Sequence, residues 1–362
     1  MADAYVECPA RDGSAQLVRI SSPDRVVWPA SAGRPAVTKL DLAHYVRDVG
    51  QRLLGRIGGR PVTLQRFPQG IDGEQFYSKN PPRGVPDYAR TVTVTYPSGR
   101  RHRQLVVDEV ATAAWTVQMN TVTLHPWPVT ATDDPQALDH PDEVRLDLDP
   151  QPGRGFADAV EAAQLLRAVL AEAGLTGFPK TSGNRGVHVY CPITPEREFL
   201  DVRHGVIAIA RELERRRPDL VTTAWWKEQR GERVFVDYNQ ACRDRTIAAA
   251  YSPRPLPAAP VSMPVSWEVL GDVNPGELTV HTVPGIVAAE ADPWAAYEPS
   301  RGDLGTAMAW WERDVAAGLP EMAFPPDYPK MPGEPPRVQP SRQRYADDEY
   351  DSDSGGYLRE HP

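Results

Sequence analysis

Two aspartates one residue apart stand in the segment VRLDLDP, residues 144–150. In an extended strand alternate side chains share a face, so Asp147 and Asp149 would lie side by side while the intervening leucines point into a core. Asp237 emerges from a second apolar segment, VFVDYN. Carboxylate oxygens suit Mg²⁺ and Mn²⁺, and two such ions could hold the attacking and leaving oxygens of a phosphoryl transfer. A structural alternative stays open, because Asp before Pro is common at strand ends.

The segment KTSGNRGVHVY, residues 180–190, places polar side chains around a glycine-containing turn between two apolar runs. Glycines let backbone N–H groups approach a phosphate closely, and Ser182, His188 and either Lys180 or Arg185 would supply further donors. The segment is not a Walker loop, because the sequence lacks GxxxxGK[ST]. The signal is weak by itself, since a β-turn with a surface arginine and a core-edge histidine would have the same pattern.

Hydrophobic periodicity indicates the elements that would position these side chains. Helices are predicted from about Lys39, over 108–120, over GFADAVEAAQLLRAVLAEAGL, over 199–217 and over 306–319. Strands are predicted for RPVTLQRFP, for TVTLHPWPV, on both sides of the SGNRG turn and for ERVFVDYNQ, with a hairpin over RTVTVTYPSGRRHRQLVVD. We expect one catalytic domain of two sub-domains over 1–300. Residues 301–362 are expected to form a C-terminal helix and a partly disordered, Pro-rich and acidic extension.

The composition, with 41% apolar and 25% charged residues, is that of an ordinary globular protein. No apolar run approaches the roughly 20 residues of a membrane helix, and the N-terminal segment lacks the features of a signal peptide. The three cysteines form neither a disulfide framework nor a CxxC site. We therefore expect a cytoplasmic protein. The net charge of −9 argues weakly against a nucleic-acid partner, but basic stretches at 100–103 and 211–217 leave the partner open.

Taken in order along the chain, several segments resemble the archaeo-eukaryotic primase superfamily. The closest resemblance is to the polymerase domain of bacterial DNA ligase D and its stand-alone relatives in actinobacteria. It rests on SSPDRVVWP, VTKLDLAHYV, GIDGEQFYSK, LHPWPV, LDLDP, KTSGNRGVHVY and VFVDYNQACRDRTIAAAYSPR, and it runs from about Ile20 to Arg254, more weakly to about Pro299. The resemblance implies an α+β fold, with mixed and antiparallel sheets flanked by helices and an active site between two sub-domains.

The resemblance assigns metal or nucleotide binding to a set of residues around these motifs. They are Asp147, Asp149, Asp237, Ser182, His188, His125, Arg254, Lys180 and Gln240. The aspartates match the family's catalytic metal-binding triad, and the serine and His188 match positions that hold the incoming triphosphate. His125 matches an active-site histidine, although packing beside Trp127 would explain it equally well by itself. Some relatives have arginine at the Gln240 position, which puts the role of this glutamine in doubt.

A second set of residues is assigned to DNA by the same resemblance. They are Arg25, Lys39, Phe76, Tyr77 and Lys79. The first two match a pair of cations that binds a downstream 5′-phosphate, and the two aromatic residues match a platform that stacks on a template base. The family often has Asn or His where Ser22 precedes this pair, so the phosphate pocket here would be looser. By themselves, both cations would be interpreted as solvated surface charges.

The implied activity is template-dependent addition of NTPs or dNTPs to a primer, with two Mn²⁺ or Mg²⁺ ions and a preference for ribonucleotides. The expected substrate is gapped or broken double-stranded DNA with a 5′-phosphate, in excision repair first and in non-homologous end joining second. The sequence lacks a KxDG-type nucleotidyl-lysine motif. We therefore expect a monomer near the nucleoid that depends on a separate ATP-dependent DNA ligase, with Ku or excision-repair proteins as further partners.

Two other classes of protein stay open at this point. A metal-dependent nuclease or phosphoesterase would use the same three acids but would not need Arg254 or the pocket formed by Ser182 and His188. A non-catalytic scaffold that binds DNA ends would need none of them, and the intact set of acids argues against it.

Overall fold

Two five-stranded sheets carry most of the candidate site residues. The computed structural model describes residues 3–10, 13–31, 33–96 and 101–325. The strands, in chain order, are β1 Ala4–Pro9, β2 Ala15–Ile20, β3 Val26–Trp28, β4 Val37–Thr38, β5 Pro61–Arg66, β6 Phe76–Ser78, β7 Thr91–Thr95, β8 Arg101–Val106, β9 Thr121–Pro126, β10 Glu143–Pro150, β11 Phe178–Thr181, β12 Val187–Pro192, β13 Val221–Thr222, β14 Val234–Asp237, β15 Ser252–Pro253 and β16 Val261–Ser262. The helices are α1 Lys39–Ile57, α2 Val110–Gln118, α3 Phe156–Glu172, α4 Phe199–Arg216, α5 Lys227–Arg230, α6 Val283–Ala289 and α7 Gly305–Ala316.

The first sheet has the strand order β11-β12-β10-β14-β13. Its pairs are antiparallel except for β13 with β14, which is parallel. The leucines that alternate with the aspartates of β10, Leu146 and Leu148, are fully buried in the main hydrophobic core, where α3 and α4 pack. The alternation of a strand therefore leaves Asp147 and Asp149 on the opposite face, as the sequence predicted.

The second sheet joins β6, β5, β8 and β7, and β9 pairs with β5. It is connected to the first sheet through β9 and the segment before β15. The backbone N–H of Leu124 donates to the Ser252 hydroxyl at 2.9 Å, and the N–H of Ala249 donates to the Leu124 carbonyl at 2.8 Å. These bonds bring His125, next along β9, toward the strands that carry the aspartates.

Local sequence signals explain where the elements begin and end. Thr38 and Asp41 form a capping box that starts α1 at Lys39. Gly174 has a φ of +75° just after α3, a conformation that glycine adopts without strain. The predicted hairpin is β7 and β8, and its turn lies outside the described residues.

The N-terminal hairpin of β1 and β2 and the short pair β3 and β4 were not predicted. The extension that was expected to be disordered lies outside the described residues beyond position 325. The three cysteines are buried free thiols. In the described part of the chain, we find no helix with the length and apolar character needed to cross a bilayer.

Candidate active site

A row of polar side chains crosses the middle of the first sheet. β10 lies between β12 and β14, and its register sets Asp147 opposite His188 on one side and opposite Asp237 on the other. Directly opposed residues of an antiparallel pair point to the same face, with Cβ atoms about 4.5–5.5 Å apart. Asp149 follows two residues later on that face. We call Asp147, Asp149 and Asp237 the acid row.

Two members of the acid row are held by amide donors from their own loops. One carboxylate oxygen of Asp237 accepts the backbone N–H of Asn239 at 2.9 Å, and the other accepts the Gln240 amide at 3.0 Å. Asp149 accepts the Gln151 amide at 3.0 Å. Asp237 is buried, and this burial raises the pKa of its carboxyl. The cost of burying this charge would be offset by a cation.

No group of three or more His, Cys, Asp or Glu side chains within the described residues is already arranged to hold a metal ion. The donor set nevertheless fits a hard divalent cation, because carboxylates on adjacent strands supply the oxygen ligands that Mg²⁺ and Mn²⁺ prefer. If such a cation binds, the acid row would hold it. The assignment of these aspartates to the metal therefore stays a prediction.

The amine of Lys180, fully buried in β11, connects the acid row to the next strand. It lies 2.8 Å from Nδ1 of His188, donates to the Ala248 carbonyl at 2.9 Å and donates to the Ser262 hydroxyl. If the amine also donates to Nδ1 of His188, the ring proton lies on Nε2. Nε2 is 3.4 Å from an oxygen of Asp147. Burial, together with the neighbouring cations, lowers the pKa of both Lys180 and His188 well below the usual range.

The turn between β11 and β12 forms a compact group of donors around Ser182. The Ser182 hydroxyl accepts the backbone N–H groups of Asn184 and Gly186, each at 3.1 Å, and its carbonyl accepts the Arg254 guanidinium at 3.0 Å. Gly183 has a φ of +82°, and a Cβ there would lie 2.5 Å from Cγ of Arg254. A glycine is therefore required for the turn to pass this close to the arginine.

His125 belongs to the same cluster although it lies on the second sheet. Its Nε2 is 3.2 Å from the Gln65 side-chain oxygen, and its ring meets the Tyr77 ring edge-on at 5.4 Å. Burial, followed by the positive charges of Arg254 and Lys180, lowers the pKa of His125 to about 3. The imidazole is therefore neutral at physiological pH.

The predicted aromatic pair on β6 has one packed and one exposed member. Tyr77 contacts His125, whereas Phe76 is 37% exposed, with the Arg66 guanidinium 4.8 Å from its ring centroid. An exposed ring beside an arginine offers a face on which a base can stack. The geometry is thus compatible with the template platform implied by the resemblance.

Arg25 and Lys39 lie together at the start of α1, on a different element from the acid row. The backbone N–H of Lys39 donates to the Arg25 carbonyl at 2.8 Å. The Lys39 amine is largely buried and donates to the Ser21 carbonyl and the Gln118 side-chain oxygen, while Arg25 contacts the Asn120 side chain at 3.3 Å. Burial, followed by the charge of Arg25, lowers the pKa of Lys39 to about 8. A doubly charged anion bound here would offset the repulsion between these two neighbouring cations.

Lys79 is paired within the protein. Its amine lies 2.6 Å from a carboxylate oxygen of Asp244, whose other oxygen accepts the Tyr96 hydroxyl at 2.9 Å. The charge of Lys79 is thus already offset before any DNA contact, although two-fifths of the side chain is exposed.

The basic stretch at 211–217 is neutralised by acids of α3, α4 and the loop after α4. Arg216 pairs with Glu172 at 2.6 Å, and Arg217 pairs with Glu161 at 2.6 Å and Asp219 at 2.9 Å. The sequence left this stretch open as a nucleic-acid contact. In the structure these arginines are ion-paired on the surface of α4, and Arg211 and Arg215 also pair with Asp314 of α7.

Sequence reasoning missed the residues that orient the predicted ones. Gln65 contacts His125, Gln118 binds Lys39 across 79 positions, and Ser262 binds Lys180 across 82 positions. Each is an isolated polar residue in an otherwise apolar context, with no motif around it. Gln151, two residues after Asp149, is the one partner that its sequence position could have revealed.

Comparisons with known proteins agree with this fold. The family model of the LigD primase-polymerase domain matches residues 38–294. Multifunctional non-homologous end joining proteins LigD of Mycobacterium tuberculosis and Pseudomonas aeruginosa are each 32% identical to the chain, over 283 and 295 residues. These matches cover 77% and 80% of this chain but 37% and 34% of those proteins, so the chain spans little more than a third of their length.

A solved structure of the polymerase domain from Mycobacterium tuberculosis ligase D, in complex with DNA, superposes with a TM-score of 0.69 at 30% identity. The match covers 77% of this chain and 97% of that chain.

The α+β fold and the match to the family model define a nucleotidyltransferase of the primase-polymerase class. The chain belongs to the LigD primase-polymerase domain family. The resemblance, the fold class and the enzyme class predicted from the sequence are thereby confirmed. The roles of individual residues rest on the geometry described above and stay predictions.

Proposed function

We propose that this chain transfers nucleotides, directed by a template, to the 3′-hydroxyl of a primer and fills short gaps in DNA under repair. The observation that carries the proposal is the row Asp237, Asp147 and His188 across three strands, with Lys180 bonded to the histidine. Carboxylates suited to a cation thus lie directly beside N–H donors suited to a triphosphate. A hydrolytic nuclease would need the carboxylates without these donors.

The chain's own residues would act by positioning and by electrostatics. The acid row would hold two divalent ions, Mn²⁺ or Mg²⁺, whose chemistry is to activate the primer hydroxyl and to offset the charge of the leaving pyrophosphate. The Ser182 turn and Arg254 would bind phosphate oxygens of an NTP or dNTP. His188, with its proton on Nε2, would donate a hydrogen bond toward the same group. His125 and Gln240 would complete the nucleotide contacts.

The DNA side of the proposal rests on two further groups of residues. Arg25 and Lys39 form a pair of cations suited to the 5′-phosphate on the downstream side of a gap, because a terminal phosphate carries more charge than an internal one. Phe76 and Tyr77 would stack on template bases without regard to sequence. The solved structure of the Mycobacterium tuberculosis ligase D polymerase domain is a complex with DNA, which supports a DNA substrate.

Excision repair is our first candidate pathway, because a recessed 5′-phosphate marks a gap within a duplex. End joining is the second, and the names of the curated relatives favour it. We further propose, from the family resemblance, a preference for ribonucleotides and Mn²⁺. From the same resemblance we propose a catalytic unit over 1–300 that acts as a monomer with a separate ATP-dependent ligase and with Ku or excision-repair proteins as partners.

Extension of a labelled primer on a gapped duplex tests the proposal. We expect nucleotide addition that depends on the template base and on Mn²⁺ or Mg²⁺ and that is stronger with a 5′-phosphate than with a 5′-hydroxyl across the gap. Parallel reactions with NTPs and dNTPs measure the sugar preference. Asp147→Ala should abolish addition. Degradation of the labelled strand without addition would instead identify a nuclease, and binding without either reaction would identify a scaffold.

A further inference from the structure

The segment that follows α7 lies across the body of the protein beside the candidate active site. Residues 320–324, which we call the C-terminal strap, lie beyond the part of the chain that the family model matches, 38–294. α7 packs along α4, where the Trp311 ring stacks on the His204 ring at a centroid distance of 4.1 Å. The strap continues past α4, and Phe324 is buried in a cluster with Tyr96 and Cys242.

Arg203 of α4 is the residue to which the strap is bound. Its side chain is completely buried. The guanidinium donates to a carboxylate oxygen of Glu321 at 2.7 Å and to the carbonyls of Met322 and Ala323 at 2.9 and 3.1 Å, and the Phe324 ring centroid lies 3.7 Å from it. A buried guanidinium is stable only when its N–H groups are paired, so Arg203 depends on the strap for most of its partners.

Further contacts of Arg203 and of the strap lead to the acid row, while His204 and Arg211 also tie Glu321 and Pro320 to α4. Nε of Arg203 donates to the Asn239 side-chain oxygen at 3.3 Å, and the Asn239 amide donates to the Ala323 carbonyl at 3.1 Å. The Tyr238 hydroxyl donates to the same carbonyl at 3.3 Å. The backbone N–H of Asn239 is the group that donates to Asp237. Strap, arginine and acid therefore form one continuous hydrogen-bonded chain.

We propose that Arg203 and the C-terminal strap position Asp237 for the reaction, by fixing the 3₁₀ turn Tyr238–Ala241 whose amides hold its carboxylate. The proposal rests on the proposed function, since it concerns the acid row as a cation site. Arg203 is a positioning residue, because it contacts Asn239, and Asn239 in turn donates to Asp237. The Ser182 turn, Arg254 and Lys180 lie outside the Tyr238–Ala241 turn, which contributes only Gln240 to the nucleotide contacts. Loss of the strap should therefore weaken cation binding more than nucleotide binding.

The test uses full-length variants and two readouts. The double variant Glu321→Ala/Phe324→Ala removes the carboxylate and the ring that hold Arg203 but leaves every residue of the Tyr238–Ala241 turn in place. We expect weaker binding of Mn²⁺, measured from the free-ion signal in electron paramagnetic resonance, by about 10–100-fold, the usual effect of removing a group that orients a metal ligand. In primer extension, the fall in kcat should exceed any rise in the KM for the nucleotide.

Leu304→Ala is the matched control. It removes a buried side chain that lies beside Gly205 of α4, the helix that carries Arg203, and it should lower the thermal stability without changing Mn²⁺ affinity. Arg203→Lys should reproduce the double variant, because an ammonium cannot span Asn239 and the strap at once.

Unchanged Mn²⁺ affinity in the double variant, or an equal loss in Leu304→Ala, would overturn the inference. If the unmodified protein neither binds Mn²⁺ nor adds nucleotides, the proposed function itself fails, and this result is distinct because it does not involve the strap.

Discussion

Replacing Asp237 by asparagine should stabilise the protein when divalent metal is removed, while abolishing nucleotide addition. Asp237 and Asp147 are directly opposed across the β10–β14 ladder. At about 5 Å, two unit charges repel by about 3 kcal/mol when the effective dielectric constant is about 20. Neighbouring cations offset part of this, so we expect a gain of about 1–3 kcal/mol.

The asparagine can keep both hydrogen bonds of the carboxylate. Its oxygen can accept the N–H of Asn239, as Asp237 does now. Its amide can donate to Oε1 of Gln240, once that side chain turns over. This oxygen is buried and has no hydrogen-bond partner among the described residues. The substitution therefore removes a charge and keeps both hydrogen bonds, with the Gln240 amide nitrogen replacing its oxygen as the buried group that has no partner.

Differential scanning fluorimetry measures the effect. In EDTA at neutral pH, the variant should melt about 2–5 °C above the parent protein. Mn²⁺ at about a thousandfold excess over its Kd should add about 4.1 kcal/mol to the parent alone and reverse the order. Because burial raises the Asp237 pKa, the native state holds this proton more tightly than the unfolded state. The penalty is thus complete above the native pKa and disappears below about pH 4, where the two proteins should become equally stable.

Asp142→Asn is the control, because that buried carboxylate is paired with Arg60 at 2.6 Å. Loss of this charge should destabilise the protein by about 3 kcal/mol. Our reasoning about the acid row would be refuted if Asp237→Asn were less stable than the parent in EDTA, or if Mn²⁺ raised both melting temperatures equally.

Three further substitutions test other parts of the site. Lys39→Met should reduce the preference for a gapped duplex with a 5′-phosphate by about tenfold or more in binding titrations. The reason is the loss of a charge-assisted hydrogen bond to the phosphate, which contributes about 1.5–3 kcal/mol. With its pKa near 8, Lys39 loses its proton as the pH rises from 7 to 9, so the parent's preference should shrink over that range. Gly183→Ala should cost at least about 1 kcal/mol in urea unfolding and raise the KM for nucleotides, because its Cβ would overlap Arg254. Phe76→Ala should weaken binding of single-stranded templates by about 1–3 kcal/mol, equally for every base, in fluorescence anisotropy.

Each of these three predictions has an outcome that would contradict it. Equal affinity of the parent protein for phosphorylated and unphosphorylated gaps would remove Arg25 and Lys39 from the substrate site. An unchanged nucleotide KM in Gly183→Ala would separate the Ser182 turn from the triphosphate. A loss confined to one base in Phe76→Ala would indicate specific readout in place of stacking.

Short-range patterns in the sequence predicted most of the elements that carry the site. The alternation of apolar and acidic residues in LDLDP placed both aspartates on one face of β10, because neighbouring side chains of a strand point in opposite directions. The capping residues Thr38 and Asp41 began α1 at Lys39. The hairpin of β1 and β2 also has alternating burial, but its exposed Tyr5 and Leu17 conceal the pattern.

The sequence by itself thus determined most of the elements that carry the site, the common face of Asp147 and Asp149 and, through its motifs, the family. Only the tertiary structure decided which strands are neighbours. It set Asp237 opposite Asp147, brought Ser262 to Lys180 and Gln118 to Lys39, and bound the C-terminal strap to Arg203. The physical reason is the distance along the chain over which each interaction acts. Alternation and capping act between residues a few positions apart, whereas strand order and the partners of buried polar groups depend on how the whole core packs.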